Sequence, residues 1–342
     1  MKQYNAIDLF CGAGGLSYGF ENAGFNILLG IDNDQKALEV FEKNHKGAKS
    51  ICGDITEINY EQIKEKIGNQ KIDIIVGGPP CQGMSLSGPR QFDDPRNKLY
   101  LSYIRLVNEI KPRAFVIENV TGLVSLFKGQ IKDSIIEKFT AMGYTVKYQI
   151  LCAADYGVPQ NRKRVIFVGT REDAEFIYPE KFQNQVTCEM ALSDLPPLEN
   201  ELGEEIADYT TEPMNEYQKL MREHSDKVYN HIAAAHSEKV KKIISLVPDG
   251  CNYKSLPEEY RSSRNFHVHG LVLQVTSQHQ QLILDIDTIF IISITVFLRF
   301  ASVQDYNLFQ MILFSWGIKH NNFVKLAMQY HRLWHKQSLN RC

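Results

Sequence analysis

A-I-D-L-F-C-G-A-G-G-L-S-Y-G-F-E-N-A-G-F-N-I-L-L-G-I-D, Ala6 to Asp32, is the stretch that decides the fold. An apolar run ends in a glycine-rich turn, an amphipathic segment follows, and a second apolar run closes on an aspartate. This is strand, turn, helix, strand, the unit from which parallel sheets are built. Reading outward, Ala6–Phe10 predicts a buried strand, Leu16–Ala23 a helix, Asn26–Ile31 a strand, Asp34–Asn44 a helix, Lys49–Cys52 a strand and Tyr60–Ile67 a helix. Ile72–Gly77, Lys98–Ile110, Ala114–Asn119 and Gln130–Met142 continue the alternation. The fold class expected is α/β, with a doubly wound, mostly parallel sheet. Tyr144–Cys152 and Arg164–Thr170 have no helix between them, so they are expected to pair antiparallel at one edge.

After Thr170 the alternation stops. Phe182 to Gln218 holds nine acidic residues and no Lys or Arg, with Pro196-Pro197 in its middle, whereas Lys219 to Arg264 carries nine basic against six acidic residues. A domain boundary is placed near Arg171, and no internal repeat is visible. The whole chain of 342 residues is 44% apolar and 23% charged, material for one large domain and a smaller one. Its formal net charge of −2 provides no global basic field, so any nucleic-acid contact must come from local patches. Seven widely spaced cysteines with no C-x-x-C pair argue against a disulfide framework and a structural zinc site. Cys11, Cys52 and Cys152 lie in or beside apolar strands and are expected in the core. The N-terminus lacks a signal-peptide pattern, and the most apolar stretch, Asp287–Phe300, is too short to span a bilayer. A cytoplasmic protein without membrane contact is expected.

Four strings carry chemistry. The turn Phe10-Cys11-Gly12-Ala13-Gly14-Gly15 lets a ligand come close to backbone and helix N-terminus. Asp32 ends the second strand, where a carboxylate can take a ribose diol, and Asp54 follows the third, within reach of an adenine amino group. The glycines do not spell G-x-G-x-x-G, which weakens a dinucleotide reading. S-adenosylmethionine has no pyrophosphate and needs the turn without the third glycine. Next comes V-G-G-P-P-C-Q-G-M-S, Val76 to Ser85, directly after a strand. Two prolines preset the backbone before Cys81, at the sheet edge where α/β proteins place ligands, as suits a nucleophilic thiol. Finally, E-N-V (Glu118 to Val120) ends one strand and Q-N-R-K-R-V (Gln160 to Val165) opens another. A carboxyl and two arginines converging on a cysteine would form a pocket able to bind and polarise a base.

D-L-F-C-G-A-G-G, G-P-P-C-Q, E-N-V and Q-N-R-K-R, in this order and spacing, resemble the DNA (cytosine-5)-methyltransferases of bacterial type II restriction–modification systems. The resemblance spans Ile7 to about Gly169 and implies the S-adenosylmethionine-dependent methyltransferase fold over residues 1–170. It implies that Cys81 attacks carbon 6 of cytosine, that Glu118 holds ring nitrogen 3 and the exocyclic amine, and that Arg162 and Arg164 support the base. Phe10, Asp32, Asp54 and Leu99 match cofactor-pocket positions, and Gly12, Ala13, Gly14, Ile55 and Pro80 are assigned to the same pocket. Thiolate addition turns the poorly nucleophilic carbon 5 into an enamine carbon able to take the sulfonium methyl. The family flips its target base out of the duplex.

By the same resemblance, residues 171–268 are the target-recognition region. Ser85 and the basic residues Lys239, Lys241, Lys242, Arg261 and Arg264 are the candidate DNA contacts. His224, His231 and His236 have no metal-ligand companions and read as surface or polar contacts. The implied partners are double-stranded DNA and a restriction endonuclease paired in function, the protein itself being a monomer. Two alternatives stand beside this reading, an inactive relic that binds only cofactor or DNA and an RNA cytosine-5 methyltransferase. A large recognition region favours DNA.

The C-terminus departs from the family. A G-N-A-V-P string that closes the cofactor pocket and an R-E-x-A-R-L-Q-x-F-P string before it are both missing. The genetic code accounts for this if the third base of each codon is read with the first two of the next. Met328-Gln329 and Trp334-His335 must then each give alanine, and the pairs around them permit V-G-N-A-V-P-P-L-L-A-Q-A from Lys325 to Gln337. Upstream, Asp305-Tyr306 forces leucine, Tyr306-Asn307 gives only glutamine or stop, and Met311-Ile312 forces aspartate. That window permits T-V-R-E-C-A-R-L-Q-S-F-P-D-D from Leu298 to Ile312. One base lost near Val268 would convert an expected F-H-V-A-W-T-R into the observed Phe266 to Val272. Residues 269–342 are therefore expected to be an out-of-frame tail in place of the cofactor-closing motifs.

Overall fold

The computed structural model describes residues 4–80, 97–171, 176–196, 203–223, 225–232, 238–248 and 255–260. The described residues fall into two compact units, one of 4–157 and 161–183, the other of 158–160 and 184–260.

In the first unit β1 (Asn5–Leu9), α1 (Gly15–Asn22), β2 (Asn26–Asp32), α2 (Gln35–Asn44), β3 (Lys49–Cys52), α3 (Tyr60–Ile67), β4 (Ile74–Gly77), α4 (Asn97–Ile110), β5 (Ala114–Val120) and α5 (Gln130–Ala141) alternate as the apolar runs predict. Helix starts follow local chemistry. Asp34 caps α2 by accepting from the amides of Lys36 and Ala37, and Asn59 and Gln62 form a reciprocal capping box on α3. The alternation closes with β6 (Thr145–Cys152) and β7 (Lys163–Thr170), which pair antiparallel as expected. The seven strands lie in the order β3-β2-β1-β4-β5-β7-β6, and β7 is the strand that runs against its neighbours.

The sheet core is apolar on both faces: Ile7, Leu9, Leu29, Ile31, Ile75, Phe115 and Phe167 are buried on one, and Ile74, Val76 and Val116 on the other. Phe115 stacks on Phe139 at 3.9 Å between ring centres, and Tyr144 packs edge-on against Phe115. The Tyr103 hydroxyl on α4 lies 3.0 Å from the carbonyl of Ile75 and 2.9 Å from that of Val116, spanning β4 and β5. One expectation fails here. Cys52 is exposed and Cys152 half-buried, because both end edge strands, β3 and β6, that have a neighbour on one side only; Cys11 is buried.

What matters for the site is where the strand order reverses. The chain builds β1, β2 and β3 in one direction and then returns to place β4 on the other side of β1. Connections leave the carboxyl ends of β1 and β4 in opposite directions, opening the crevice where such sheets bind ligands. The register sets the level: Leu9 lies opposite both Ile31 and Gly77, and Gly77 opposite Ile117. Phe10, Asp32, Gly78 and Glu118 therefore stand at one level at the carboxyl ends of their strands.

The second unit holds α6 (Cys188–Leu192), β8 (Gly203–Ala207), α7 (Glu216–Arg222), β9 (Val228–Ile232) and α8 (Glu238–Ser245), with β8 and β9 paired antiparallel. Arg222 anchors it, pairing with buried Asp194 at 2.7 Å and covering the Tyr209 ring. No helix among the described residues is long and apolar enough to cross a membrane.

Candidate active site

The turn after β1 is held from three sides. Phe10 takes a left-handed conformation (φ 64°) while its amide and that of Cys11 both donate to the Ile31 carbonyl. The Gly12 amide donates to Asp32 Oδ2 at 2.8 Å, and the Asp34 amide to Oδ1 of the same carboxylate at 3.0 Å. Asp32 thus does a structural task before any ligand task. Gly14 starts α1 at φ 89°, and a Cβ there would stand 2.4 Å from His45 Nε2 and 2.8 Å from the Phe41 ring. Both conformation and space require glycine. At Gly12, by contrast, nothing lies within 4 Å of where a Cβ would be. The turn is therefore open at Gly12 and closed at Gly14.

Around that opening the residues suit S-adenosylmethionine. Phe10 and Leu99 are half-buried apolar side chains packed against the same core cluster that contains buried Ile55. Asp32 is half-buried and Asp54 exposed. Accepting the Thr56 amide holds the Asp54 carboxyl below the ordinary carboxylate range, so it is charged at neutral pH and able to accept from an amine.

On the other side of the crevice, E-N-V and the arginine string meet. Arg164 Nε donates to Glu118 Oε1 at 2.8 Å, both side chains being mostly buried. Glu118 Oε2 is on the side of Gly78, 3.4 Å from the position of a Cβ there. Arg162 is half-buried; burial and the Arg164 charge push its guanidinium down to about 10, against the opposing pull of Glu118. It is still cationic at neutral pH. The carboxyl and the two arginines are thus brought together beside Gly78, Pro79 and half-buried Pro80. Cys81 and Ser85 lie outside the described residues.

Cys11 is no rival nucleophile. Burial, aided by Asp8 and Asp32, pushes its thiol far up, so it stays protonated.

Asn119 does work that its place in the string did not reveal. It is buried, its Nδ2 donates to the Pro79 carbonyl at 2.8 Å, and its Oδ1 accepts from the Val120 amide at 2.8 Å. A strand-end amide therefore ties down the proline turn that leads into Cys81. Asp8, in the middle of β1, is likewise buried, accepting from Ser17 Oγ at 2.6 Å. Burial pushes its carboxyl up to about 7, opposed by the Ser17 hydrogen bond and the His45 charge. The aspartate was in view in the sequence; its burial was not.

Of the basic residues expected to meet DNA, Lys242 is exposed on α8. Lys239 and Lys241 are on the same helix, their side chains outside what is described, and Arg261 and Arg264 lie outside the described residues. His231 makes a polar contact, Nε2 standing 2.7 Å from the Pro196 carbonyl.

A family model described as C-5 cytosine-specific DNA methylase matches residues 4–287. Type II methyltransferase M.DdeI of Desulfomicrobium norvegicum is 38% identical over 285 residues, 80% of this chain and 68% of the relative. Type II methyltransferase M1.HphI of Haemophilus parahaemolyticus is 34% identical over 258 residues, 75% of this chain and 64% of the relative. The chain thus spans about two thirds of their length. A solved structure described as a DNA modification methyltransferase encoded within an E. coli prophage superposes with a TM-score of 0.63 at 28% identity, over 74% of this chain and 78% of that one.

Proposed function

The chain belongs to the C-5 cytosine-specific DNA methylase family, and from that premise we propose that it methylates carbon 5 of a cytosine flipped from a specific duplex DNA site, protecting that site from a cognate restriction endonuclease. The observation that carries the reading is the Glu118–Arg164 pair beside the turn into Cys81. S-adenosylmethionine, when bound, supplies the electrophilic methyl group; Phe10, Asp32, Asp54, Ile55 and Leu99, with the Gly12–Gly14 turn and Pro80, would hold it.

The Cys81 thiolate adds to carbon 6 and pushes electron density onto carbon 5, which takes the methyl group. Loss of the carbon 5 proton to a base then expels the thiolate and restores the aromatic ring. Glu118 holds ring nitrogen 3 and the exocyclic amine, with one oxygen anchored by Arg164 and the other toward the turn. Arg162 and Arg164 offset the negative charge that thiolate addition places on the ring. Lys239, Lys241, Lys242, Arg261, Arg264 and Ser85 would supply DNA contacts. Action on DNA rather than RNA fits relatives named as type II methyltransferases, and a cytoplasmic monomer is the form proposed.

The tail favours a second reading, that this 342-residue form is impaired. The stretch concerned is residues 269–342. The missing motifs are legible in the neighbouring frame of that stretch. A chain without its closing segment keeps the nucleophile and the base-binding groups but loses one wall of the cofactor pocket.

The test uses a frame-restored chain and duplex DNA carrying 5-fluorocytosine in the target. Fluorine cannot leave as a proton does, so the protein becomes covalently attached when S-adenosylmethionine is added. Cys81→Ala should abolish attachment and leave cofactor binding nearly intact. An adduct with the alanine variant would show that another residue is the nucleophile.

A further inference from the structure

Beneath the glycine turn lies a group of ionisable side chains that the proposed reaction does not use. His45, the residue after α2, is buried, and its ring stands between two acceptors. Nδ1 is 2.8 Å from Glu21 Oε2 on α1, and Nε2 is 3.1 Å from the carbonyl of Gly14. A neutral imidazole carries one N–H, so it satisfies one of these acceptors and turns a lone pair toward the other. Only the imidazolium donates to both. The preceding residue, Asn44, donates from Nδ2 to the Ala13 carbonyl at 3.4 Å. The end of α2 thus grips two consecutive carbonyls of the turn.

Groups from three elements surround the ring. Glu21 faces the ring from α1, and Asp8 on β1 lies within electrostatic reach. Tyr18 on α1 and Phe41 on α2 enclose it, with ring centres 6.2 and 4.7 Å away. Lys43 and Lys46, the nearest cations along the chain, are exposed. A neutral ring, itself buried, would turn a lone pair toward the buried Gly14 carbonyl or toward the half-exposed Glu21 carboxylate.

We propose that His45 is a positioning residue that works as an imidazolium, tying the Gly14 carbonyl to Glu21 and coupling the shape of the cofactor turn to pH. The proposal rests on the reading of that turn as the S-adenosylmethionine site. Removing one ring proton removes one of the two hydrogen bonds, and cofactor affinity falls as pH rises.

Two measurements on the frame-restored chain test it. The first needs no cofactor: long-range proton–nitrogen spectra of the labelled chain at about pH 6, near the ordinary histidine range, should show both His45 ring nitrogens protonated. A single neutral tautomer would overturn the proposal. The second follows S-adenosylhomocysteine binding by calorimetry between about pH 6 and about pH 9. The wild-type chain should lose about tenfold in affinity, the value of one charge-assisted hydrogen bond.

In Glu21→Gln the amide can donate to Nδ1, so a neutral ring can still donate to Gly14; this variant should bind well with a flat pH profile. His45→Ala should bind weakly at every pH. Glu21→Gln keeping the full pH dependence, or a wild-type profile as flat as that of His45→Ala, overturns the proposal. If none of the three chains binds S-adenosylhomocysteine while the nitrogen spectra show the imidazolium, the cofactor reading fails and the assignment of the ring protons stands.

Discussion

Replacing Gly14 by alanine separates two costs that meet at one position. The residue sits at φ 89°, where an L side chain is strained by about 1–2 kcal/mol. The added Cβ would also stand 2.4 Å from His45 Nε2 and 2.8 Å from a Phe41 ring carbon, neither of which is the end of a free chain. His45 is held at both ring nitrogens and Phe41 is fully buried, so overpacking adds about 1–3 kcal/mol. Gly12 is the control: its φ of 53° carries the conformational cost, but nothing lies within 4 Å of its Cβ position. Gly14→Ala should therefore lose about 2–5 kcal/mol against a typical domain stability of about 5–15 kcal/mol, and Gly12→Ala only about 1–2. Urea unfolding followed by far-ultraviolet circular dichroism measures both. Adding His45→Ala to Gly14→Ala should return part of the steric cost and none of the conformational one. Equal losses for the two single variants would refute the close approach of His45 to the turn.

Asp8 gives the chain a pH dependence of known sign. Its folded carboxyl, raised to about 7 from 3.8, keeps a proton that the unfolded chain has lost, so stability falls as pH rises between those values. Ionising it in place costs roughly 4 kcal/mol, and Asp8→Asn should be the more stable chain at about pH 8 and no better below about pH 4; a stability difference that does not change with pH would contradict the burial argument. The tail makes the other prediction. Even a few hundred Å² of sheet left uncovered, at roughly 25 cal/mol per Å², amounts to several kcal/mol, and the nearly uncharged run Asp287–Phe300 is prone to aggregate. Inserting one base at the Val268 codon should recover both solubility and methyl transfer, whereas full-rate methylation of duplex DNA by the 342-residue chain would rule out the frameshift reading.

How much of this was legible in the sequence depends on whether a feature is set locally or by partners. Strands such as Asn26–Asp32 and helices such as Gln35–Asn44 were readable because apolar spacing and a capping aspartate act within the element itself. Cys52 was misjudged because an apolar strand looks the same at an edge as at the centre; only strand order tells them apart. Glu118 and the arginines could be placed at one sheet edge from the strings alone. Their contact needed more: β7 inserts between β5 and β6 and runs backward, so that Arg164 lies opposite Val120 and its side chain reaches Glu118. The least legible contacts were those of Asn119 with Pro79 and of His45 with Gly14, which join residues 40 and 31 positions apart. Neither partner is a side chain. A carbonyl leaves no mark in a sequence, so the groups that shape these two loops, the proline turn before Cys81 and the glycine turn after β1, become visible only when the backbone is in place.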